Sequence, residues 1–554
     1  MSNSVRAHRA THAPNAQFEP VLPEMRRAIE NGGPPHAAAL QELAGDLHMP
    51  VAAVRGALSS FHDVHAATGA VRVCAGTSCV LSGAGSLHRA LNERGTCEGV
   101  YCLGYCDRSP AAMTPSGLVA APVGPNALDA LLADRPLPHP PPPEIRNHAR
   151  HAIVTARLMG AQSAGTPAPE YAGLRVAAGT PSEEVLAAIL ASGVRGRGGA
   201  AFPTGQKLRA AAAAKGTPKY VVANGDEGDP GSFIDRELME RDPHGILEGM
   251  AIAAHAIGAS EGIVFIRGEY PVSVREMERA IATATDAGHL GANALGRGRP
   301  FRVRVVQGMG SYVCGEETAL LNAIEGQRGE VRPRPPYPVE QGLYGRPTVV
   351  DNVETLVNLP WIMLHGAQAF SAMGTPDSKG TKALCFNRGF AKPGIVEVEF
   401  GVTLRDAIER LGGGSADGTP LEAVLLGGPM GSIVTPDQWD ATICFAGMAK
   451  RGITLGHAGL VAIPRGSDWR NILRHMLTFM RDESCGKCVP CRLGTLRARE
   501  LVHDGLSDAA RLQLEGILSL MKDASLCAFG RETPNPIQTI LTKFGDRIRP
   551  EGRP

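Results

Sequence analysis

The stretch "KYVVANGDEGDPGSFIDR", Lys219 to Arg236, decides the architecture. Its opening is a short apolar strand, and the chain then runs into an acidic loop in which Asn224, Asp226, Glu227 and Asp229 alternate with glycines. Upstream, "TPSEEVLAAILASG" reads as a helix with Thr180 as N-cap, Pro181 in the first turn, Glu183 closing a capping box and Gly193 as terminator. Downstream, helical "DPHGILEGMAIAAHAIGA" precedes two strand-like runs, "EGIVFIRGEY" and "FRVRVVQG". Strands alternating with helices imply an α/β layer architecture.

Other segments surround this centre. Residues 20–65 carry helical patterning broken by Gly and Pro and read as short helices, and strand-like "AVRVCAG" follows from Ala70. From Asp134, "DRPLPHPPPPEIRNHA" is too rich in proline for a helix or a central strand, so it marks a domain boundary. Residues 380–435 look like a separate hairpin-plus-helix module, and from about Asp468 the chain is helical around its last cysteines. There are no sequence repeats.

A chain of 554 residues exceeds one ordinary core, so three or more domains are expected. A hydrophobic content of 43% is globular, and a net charge of +1 argues against nucleic acid or an anionic membrane surface as the main partner. No apolar run approaches the ~20 residues of a membrane span and no secretory segment opens the chain, so a soluble cytoplasmic protein without membrane insertion is expected. Residues 1–19 are expected to be a disordered tail, although "MSNSVRAHRATHAPNAQ", with Arg6 and Arg9 and no acid, faintly resembles an organelle transit peptide.

Twelve cysteines are too few for a disulfide scaffold of this size, and eight of them fall in two clusters. "CAGTSC" and "CLGYC" give Cys74, Cys79, Cys102 and Cys106. Two such pairs, each after a strand, can ligate a two-iron cluster, with structural zinc as the alternative. "ESCGKCVPC" gives Cys485, Cys488 and Cys491, and Cys527 follows in "DASLCAFG". Three close thiols plus a remote one suit a four-iron cubane; four-cysteine zinc also fits, and the company of the first cluster favours an electron relay. Cys97, Cys314, Cys385 and Cys444 read as small buried hydrophobes.

Glycine-rich "GRGGAAFPTGQK" follows a helix rather than a strand and lacks the P-loop pattern around Lys207. Its glycines would let backbone amides approach an anion, with Arg197 and Lys207 able to pair a phosphate; a plain surface loop is the bland alternative. In "VRVVQGMGSYVCGEETALLNAIEG" a strand ends at Gln307 and a helix begins near Glu316, a natural site for a phosphate or a polar ring. Glu316 and Glu317 would repel a phosphate there and normally serve as caps. The acidic loop lacks the terminal bidentate Glu of a calcium-binding EF-hand.

Taken in order, "GRGGAAFPTG", "NGDEGDPGSFIDR", "SYVCGEETALLNAIEG", "PTVVDNVETL" and "ESCGKCVPCR…LCAFG" carry a resemblance. From about residue 176 to 545 the chain resembles the flavin-bearing, NADH-oxidising subunit of respiratory complex I and its soluble relatives. Those relatives are the diaphorase subunits of NAD-linked hydrogenases and of metal-dependent formate dehydrogenases. Residues 20–130 resemble that family's thioredoxin-like two-iron ferredoxin subunit, here fused to the rest through the proline run.

The resemblance implies a multidomain α/β protein: a tail (1–19), a helical leader with a thioredoxin-like [2Fe-2S] domain (20–133), a proline-rich linker (134–175), an FMN- and NADH-binding domain (176–375), a small ubiquitin-like β-grasp domain (376–465) and a helical [4Fe-4S] domain (466–554). It implies FMN held by Gly196, Arg197, Gly198, Gly199, Lys207, Asn224, Asp226, Tyr312, Gly315, Glu316, Val350, Asp351, Asn352 and Thr355. NAD(H) would lie over the flavin near Phe202, Glu227, Asp229, Phe233 and Glu317, with Arg334 and Tyr337 toward the adenine. Asp229 and Asp351 stand where the family commonly shows Glu and Asn, Ala201 replaces a frequent Gly, Tyr337 replaces Phe, and the interval from Cys79 to Cys102 is shorter than usual.

NADH gives two electrons as a hydride, whereas iron–sulfur clusters take one at a time, so a flavin must stand between them. No side chain need donate a proton to carbon. No molybdenum, tungsten or nickel site is visible in the sequence, so a large catalytic partner with further iron–sulfur clusters is expected. Because the chain stops soon after "KFGDRIRP", a formate dehydrogenase beta subunit is favoured over a hydrogenase or complex I-like diaphorase. A non-catalytic iron–sulfur scaffold or redox sensor without flavin is the rival from another class.

Overall fold

The computed structural model describes residues 21–32, 37–67, 69–160, 170–294, 298–503 and 505–549. The expected tail, residues 1–19, lies outside the described residues. Lys219–Arg236 folds as its pattern dictates: strand Tyr220–Gly225 enters the acidic loop, which leads into helix Ile234–Arg241. This strand lies inside a five-stranded sheet in the order Thr348–Asn352, Tyr220–Gly225, Glu261–Ile266, Arg299–Gln307, Gly291–Ala294. The first four run parallel and the last antiparallel. All four parallel strands therefore end on one edge, where open α/β sheets bind ligands.

Helix Ser182–Ser192 forms where its apolar spacing predicts, and Gly193 ends it with a φ of +69° that glycine adopts without strain. The expected capping box does not form. The N-cap position is taken by Pro181, which has no side-chain oxygen to offer, and Thr180 one residue earlier turns its hydroxyl back to donate to Val176 O of the preceding helix Ala172–Gly179. Helix Pro243–Ile257 begins as a genuine cap: Asp242 accepts from Gly245 N, with Pro243 at the first helical position.

A four-stranded sheet, in the order Cys97–Val100, Val71–Cys74, Ala112–Met113, Val119–Ala120, forms the first cysteine-bearing module; its first pair is parallel and the rest antiparallel. A six-stranded mixed sheet carries the hairpin Thr381–Phe386 and Gly394–Glu399 expected after residue 380. Helices Trp469–Asp482, Val489–Leu501, Asp508–Ala524 and Pro534–Lys543 complete the chain. Their apolar core takes in Leu425, Ile433, Val461 and Ile463 from one face of the six-stranded sheet.

Two placements differ from the sequence reading. The leader helices Leu22–Gly32, Ala37–Asp46 and Val51–Leu58 share a core with Val222, Ile263, Phe265 and Leu320 of the layer built on the five-stranded sheet, not with the first cysteine module. Residues expected as linker supply strand Ile145–Asn147, which pairs in parallel with Gly394–Glu399 as the outermost strand of the six. Just beyond it, the buried Glu397 carboxylate accepts from Ile153 N, Val154 N and Thr155 N at 3.0, 3.0 and 2.9 Å, and from the hydroxyls of Thr155 and Thr381. Among the described residues, no helix is long and apolar enough to cross a membrane.

Candidate functional site

The expected cofactor residues gather on the carboxyl edge of the five-stranded sheet. Gly196 N donates to Phe202 O and Arg197 N to Thr355 Oγ1, which folds the glycine loop back on itself and against helix Val353–His365. A Cβ on Gly198 would stand 2.9 Å from Asn352 Cβ, so only glycine permits this approach. Gly199 has a φ of +114°, and a Cβ there would meet nothing nearer than 3.8 Å. The loop thus presents backbone toward open space.

Arg197 does not aim its charge at that space. Its guanidinium is buried, donates to Arg195 O and Lys379 O, and lies 4.9 Å over the Phe400 ring. Burial lowers its pKa to about 10 against the pull of Glu354 and Glu397. Lys207, on helix Thr204–Ala213, donates to Val350 O and pairs with Asp351 at 3.0 Å. Burial opposes its charge, but Asp351 and Glu317 outweigh burial and raise its pKa.

Asn224 is fixed at both ends, donating to Gly315 O and accepting from Asp226 N. Asp226 is buried, and desolvation raises its pKa well above the usual range despite Arg267 at 4.0 Å. Glu227 is occupied: it accepts from Ser232 Oγ, Asp235 N and Arg236 N, capping the helix that follows the acidic loop. Phe233 is wholly buried in the core. Asp229 accepts from the Tyr312 hydroxyl and lies 3.3 Å from His457 Nδ1. Glu316 caps helix Glu317–Ile324 through Thr318 N and Ala319 N, while Glu317 pairs with Arg334 at 2.8 Å. Asn352 Oδ1 accepts from Thr355 N and so caps helix Val353–His365. Phe202 and Tyr337, 50% and 51% exposed, are the rings left free among the expected nucleotide contacts.

The first cysteine set closes against this edge. Cys74 ends its strand, Cys79 lies in helix Thr77–Leu81, Cys102 follows strand Cys97–Val100 and Cys106 opens a 3-10 turn. All four are buried; Cys102 and Cys106 stand 3.5 Å apart, and Cys74 interacts with both Cys79 and Cys102. The neighbouring Cys102 thiol and burial together raise the Cys106 pKa well above its usual value. Gly231 N of the acidic loop donates to Cys106 Sγ at 3.2 Å. Cys97 turns away, toward His88 O and Asn92 Oδ1.

In the second set, Cys485 and Cys488 are half-buried and Cys491 and Cys527 buried. Cys488 is the N-cap residue of helix Val489–Leu501 and Cys527 that of Ala528–Glu532, and the Cys527 sulfur receives the N–H groups of Phe529 and Gly530. Burial raises Cys491 to about 12 and Cys527 to about 11, the latter against donation from Phe529 and Gly530 N–H groups. Buried thiols of this kind give up their protons to a bound metal cluster. Glu483, two residues before Cys485, accepts from Tyr312 N at 3.0 Å and ties this set to the turn that leads into helix Glu317–Ile324.

Sequence reasoning missed three residues. Arg267 donates to Tyr101 O, Cys102 O and Glu227 O, clamping the first cysteine loop to the acidic loop. His457 reaches Asp229 from the six-stranded-sheet module, and Glu483 joins Tyr312 to the last helices. Arg267 carried a signal, since it is a charged residue just past the end of a parallel strand.

Residues 189–361 match the family described as the Nuo51 FMN-binding domain, and residues 471–551, which contain all four late cysteines, match the NADH-ubiquinone oxidoreductase-F iron-sulfur binding region. The chain is 41% identical over 381 residues to the NADP-reducing hydrogenase subunit HndC of Solidesulfovibrio fructosivorans, covering 68% of this chain and 77% of that one. It is 40% identical over 380 residues to an NADH-quinone oxidoreductase subunit of Rhizobium meliloti, covering 68% of this chain and 90% of that one. Among solved structures, an NAD+-reducing [NiFe]-hydrogenase in its H2-reduced state superposes with a TM-score of 0.83 at 28% identity, over 96% of this chain and 92% of that one. With an FMN- and NADH-binding domain and a 4Fe-4S region in one chain, this oxidoreductase belongs to the family of flavin-bearing, NADH-oxidising subunits shared by complex I and NAD-reducing hydrogenases.

Proposed function

We propose that this chain is a cytoplasmic diaphorase subunit through which a larger metal-bearing partner exchanges electrons with NAD, and that the partner's fuel is formate. One observation carries the relay: loops at the carboxyl edge of the five-stranded sheet reach both cysteine sets, through Gly231 N to Cys106 Sγ on one side and through Tyr312 N to Glu483, just before Cys485, on the other.

The residues present fit FMN. Asp351 Oδ2 and Asp235 Oδ1 are buried without a hydrogen-bond partner, and such oxygens accept from hydroxyls like those of a ribityl chain. Gly196, Arg197, Gly198 and Gly199 would hold the flavin by backbone, Lys207 would meet its phosphate, and Asn224, Asp226, Tyr312, Gly315, Glu316, Val350, Asp351, Asn352 and Thr355 would complete the cradle. When bound, FMN supplies hydride acceptance together with one-electron release. Phe202 and Tyr337 offer faces for the nucleotide, and Arg334, held by Glu317, faces its adenine end. Asp229, fixed by Tyr312, orients the loop rather than moving a proton to carbon. Cys74, Cys79, Cys102 and Cys106 would ligate a [2Fe-2S] cluster, and Cys485, Cys488, Cys491 and Cys527 the [4Fe-4S] cluster.

Gly530 gives the second site a test. A Cβ there would lie 2.5 Å from Ser525 Cβ and 3.1 Å from Cys491 Cβ. Gly530→Val is therefore expected to lose the four-iron signal and its iron on dithionite reduction, while bound flavin is retained. Flavin and iron assays of the purified variant check this.

A partner surface lies beside that site. Val489, Leu493 and Leu496 recur at helical spacing on the helix that starts from Cys488, and all three are exposed, as are Leu512 and Leu520 on the adjoining helix. Exposed apolar residues collected next to ligand cysteines suit a subunit that takes over the electrons.

Hydrogen is the second reading, favoured by the hydrogenase relatives and structures. Co-purification with the native partner decides between them. Formate-dependent NAD reduction by the complex supports the proposal, and hydrogen-dependent reduction replaces it. A preparation without flavin fluorescence or NADH-dependent dye reduction would instead establish the non-catalytic scaffold.

A further inference from the structure

Four aromatic rings form one contiguous cluster between the two cysteine sets, in which Phe479 touches the other three, Phe529 among them at 6.4 Å between centroids. Tyr101, the residue before Cys102, meets Phe479 at 5.0 Å between ring centroids, edge to face at 89°. Phe479 meets Tyr312 at 5.0 Å and 80°, and Tyr312 meets Phe529 at 5.7 Å. Phe529 lies two residues beyond Cys527, donates its N–H toward that thiol, and shares one apolar cluster with Phe479, Cys491 and Cys527.

Edge-to-face rings at these distances stabilise any core, and Phe479 is 2% exposed. Stability alone does not require that the cluster reach from beside a cysteine of one set to beside a cysteine of the other. Nor does it require the rings to come from four separate segments: the loop at Tyr101, helix Trp469–Asp482, the turn Tyr312–Gly315 and helix Ala528–Glu532. Two of the rings are also tied to the surrounding loops, Tyr101 O by Arg267 and Tyr312 by Glu483 and Asp229.

We propose that Phe479, with Tyr101 and Tyr312, bridges the two iron–sulfur sites, so that single electrons pass between them without returning to the flavin. This rests on the reading of Cys74, Cys79, Cys102 and Cys106 as ligands of a two-iron cluster. The step is balanced as a plain transfer: one cluster is oxidised by one electron, the other is reduced by one, and no bond or proton moves. Electron tunnelling decays more slowly through packed matter than across gaps, and contiguous rings leave none. Phe479 is a positioning residue for this transfer and touches no substrate.

The test uses the full chain loaded with 5-deaza-FMN, which takes a hydride but does not shuttle single electrons. Substoichiometric reduced methyl viologen is mixed in, and freeze-quench paramagnetic resonance follows each cluster separately. Electrons are expected to enter at the half-buried Cys485 and Cys488, then to appear at the buried first cluster as the second loses them. In Phe479→Leu this later phase is expected to slow several-fold, with the first phase and both sets of g-values unchanged. An equal rate in parent and variant, or no second phase in the parent, overturns the bridge. If Phe479→Leu loses a cluster, Tyr101→Leu should slow the phase where Tyr101→Phe preserves it, and equal rates in that pair overturn the proposal too. A parent protein that shows no two-iron signal and no matching iron under excess dithionite fails the underlying ligand reading instead.

Discussion

Glu397→Leu is expected to lower the unfolding free energy by several kcal/mol. The carboxylate takes hydrogen bonds from three backbone N–H groups at 153–155 and from two threonine hydroxyls, all of them buried. Leucine removes every acceptor, and each buried donor left unpaired costs about 1–3 kcal/mol. The three N–H groups cannot rotate to find another partner, so they alone bring the loss close to the whole stability of a domain, about 5–15 kcal/mol. Glu397→Gln keeps one carbonyl oxygen and should lose less. Urea midpoints of the two variants check this, and a parent-like midpoint for the leucine form would show that other contacts hold the 153–155 segment.

Cys527→Ala should abolish electron exchange with the partner while NADH still bleaches the flavin. The hydride step needs only the residues gathered at the sheet edge, whereas every route outward through the last helices passes the four late cysteines. Three of these are close in sequence, so the remote one tests whether a four-ligand site is assembled across helices Val489–Leu501 and Ala528–Glu532. Stopped-flow bleaching of flavin by NADH, set beside NAD reduction by the partner's fuel, separates the two halves. Retention of both activities would remove Cys527 from the ligand set, and zinc in place of iron on elemental analysis would replace the relay with a structural site.

What could be read in advance was local. The strand before Asn224, the helix ending at Gly193 and the cap at Glu316 follow from spacing, from glycine's conformational freedom and from side chains that bond within three residues. What could not be read was partnership at long range. Arg197 sits in a glycine loop that invites a phosphate, yet its guanidinium is spent on a carbonyl 182 residues away. Arg267 reaches back 166 residues to Tyr101, and Glu483 is joined to Tyr312 across 171. The leader helices showed that an apolar face had to be covered but not by which layer. Strand Ile145–Asn147 is three residues long, too short to display alternation, and the prolines before it concealed it.

That outer strand also says where one gene could become two. From Arg135 to Pro143 the backbone joins no sheet, whereas from Glu144 onward it is bound to the hairpin through Ile395 N to Glu144 O and His148 N to Glu397 O. Fission of the polypeptide within the proline run would leave both products with their sheets entire and their shared apolar contact intact. A break a few residues later would strip the second product of its border strand and expose a bare, adhesive margin.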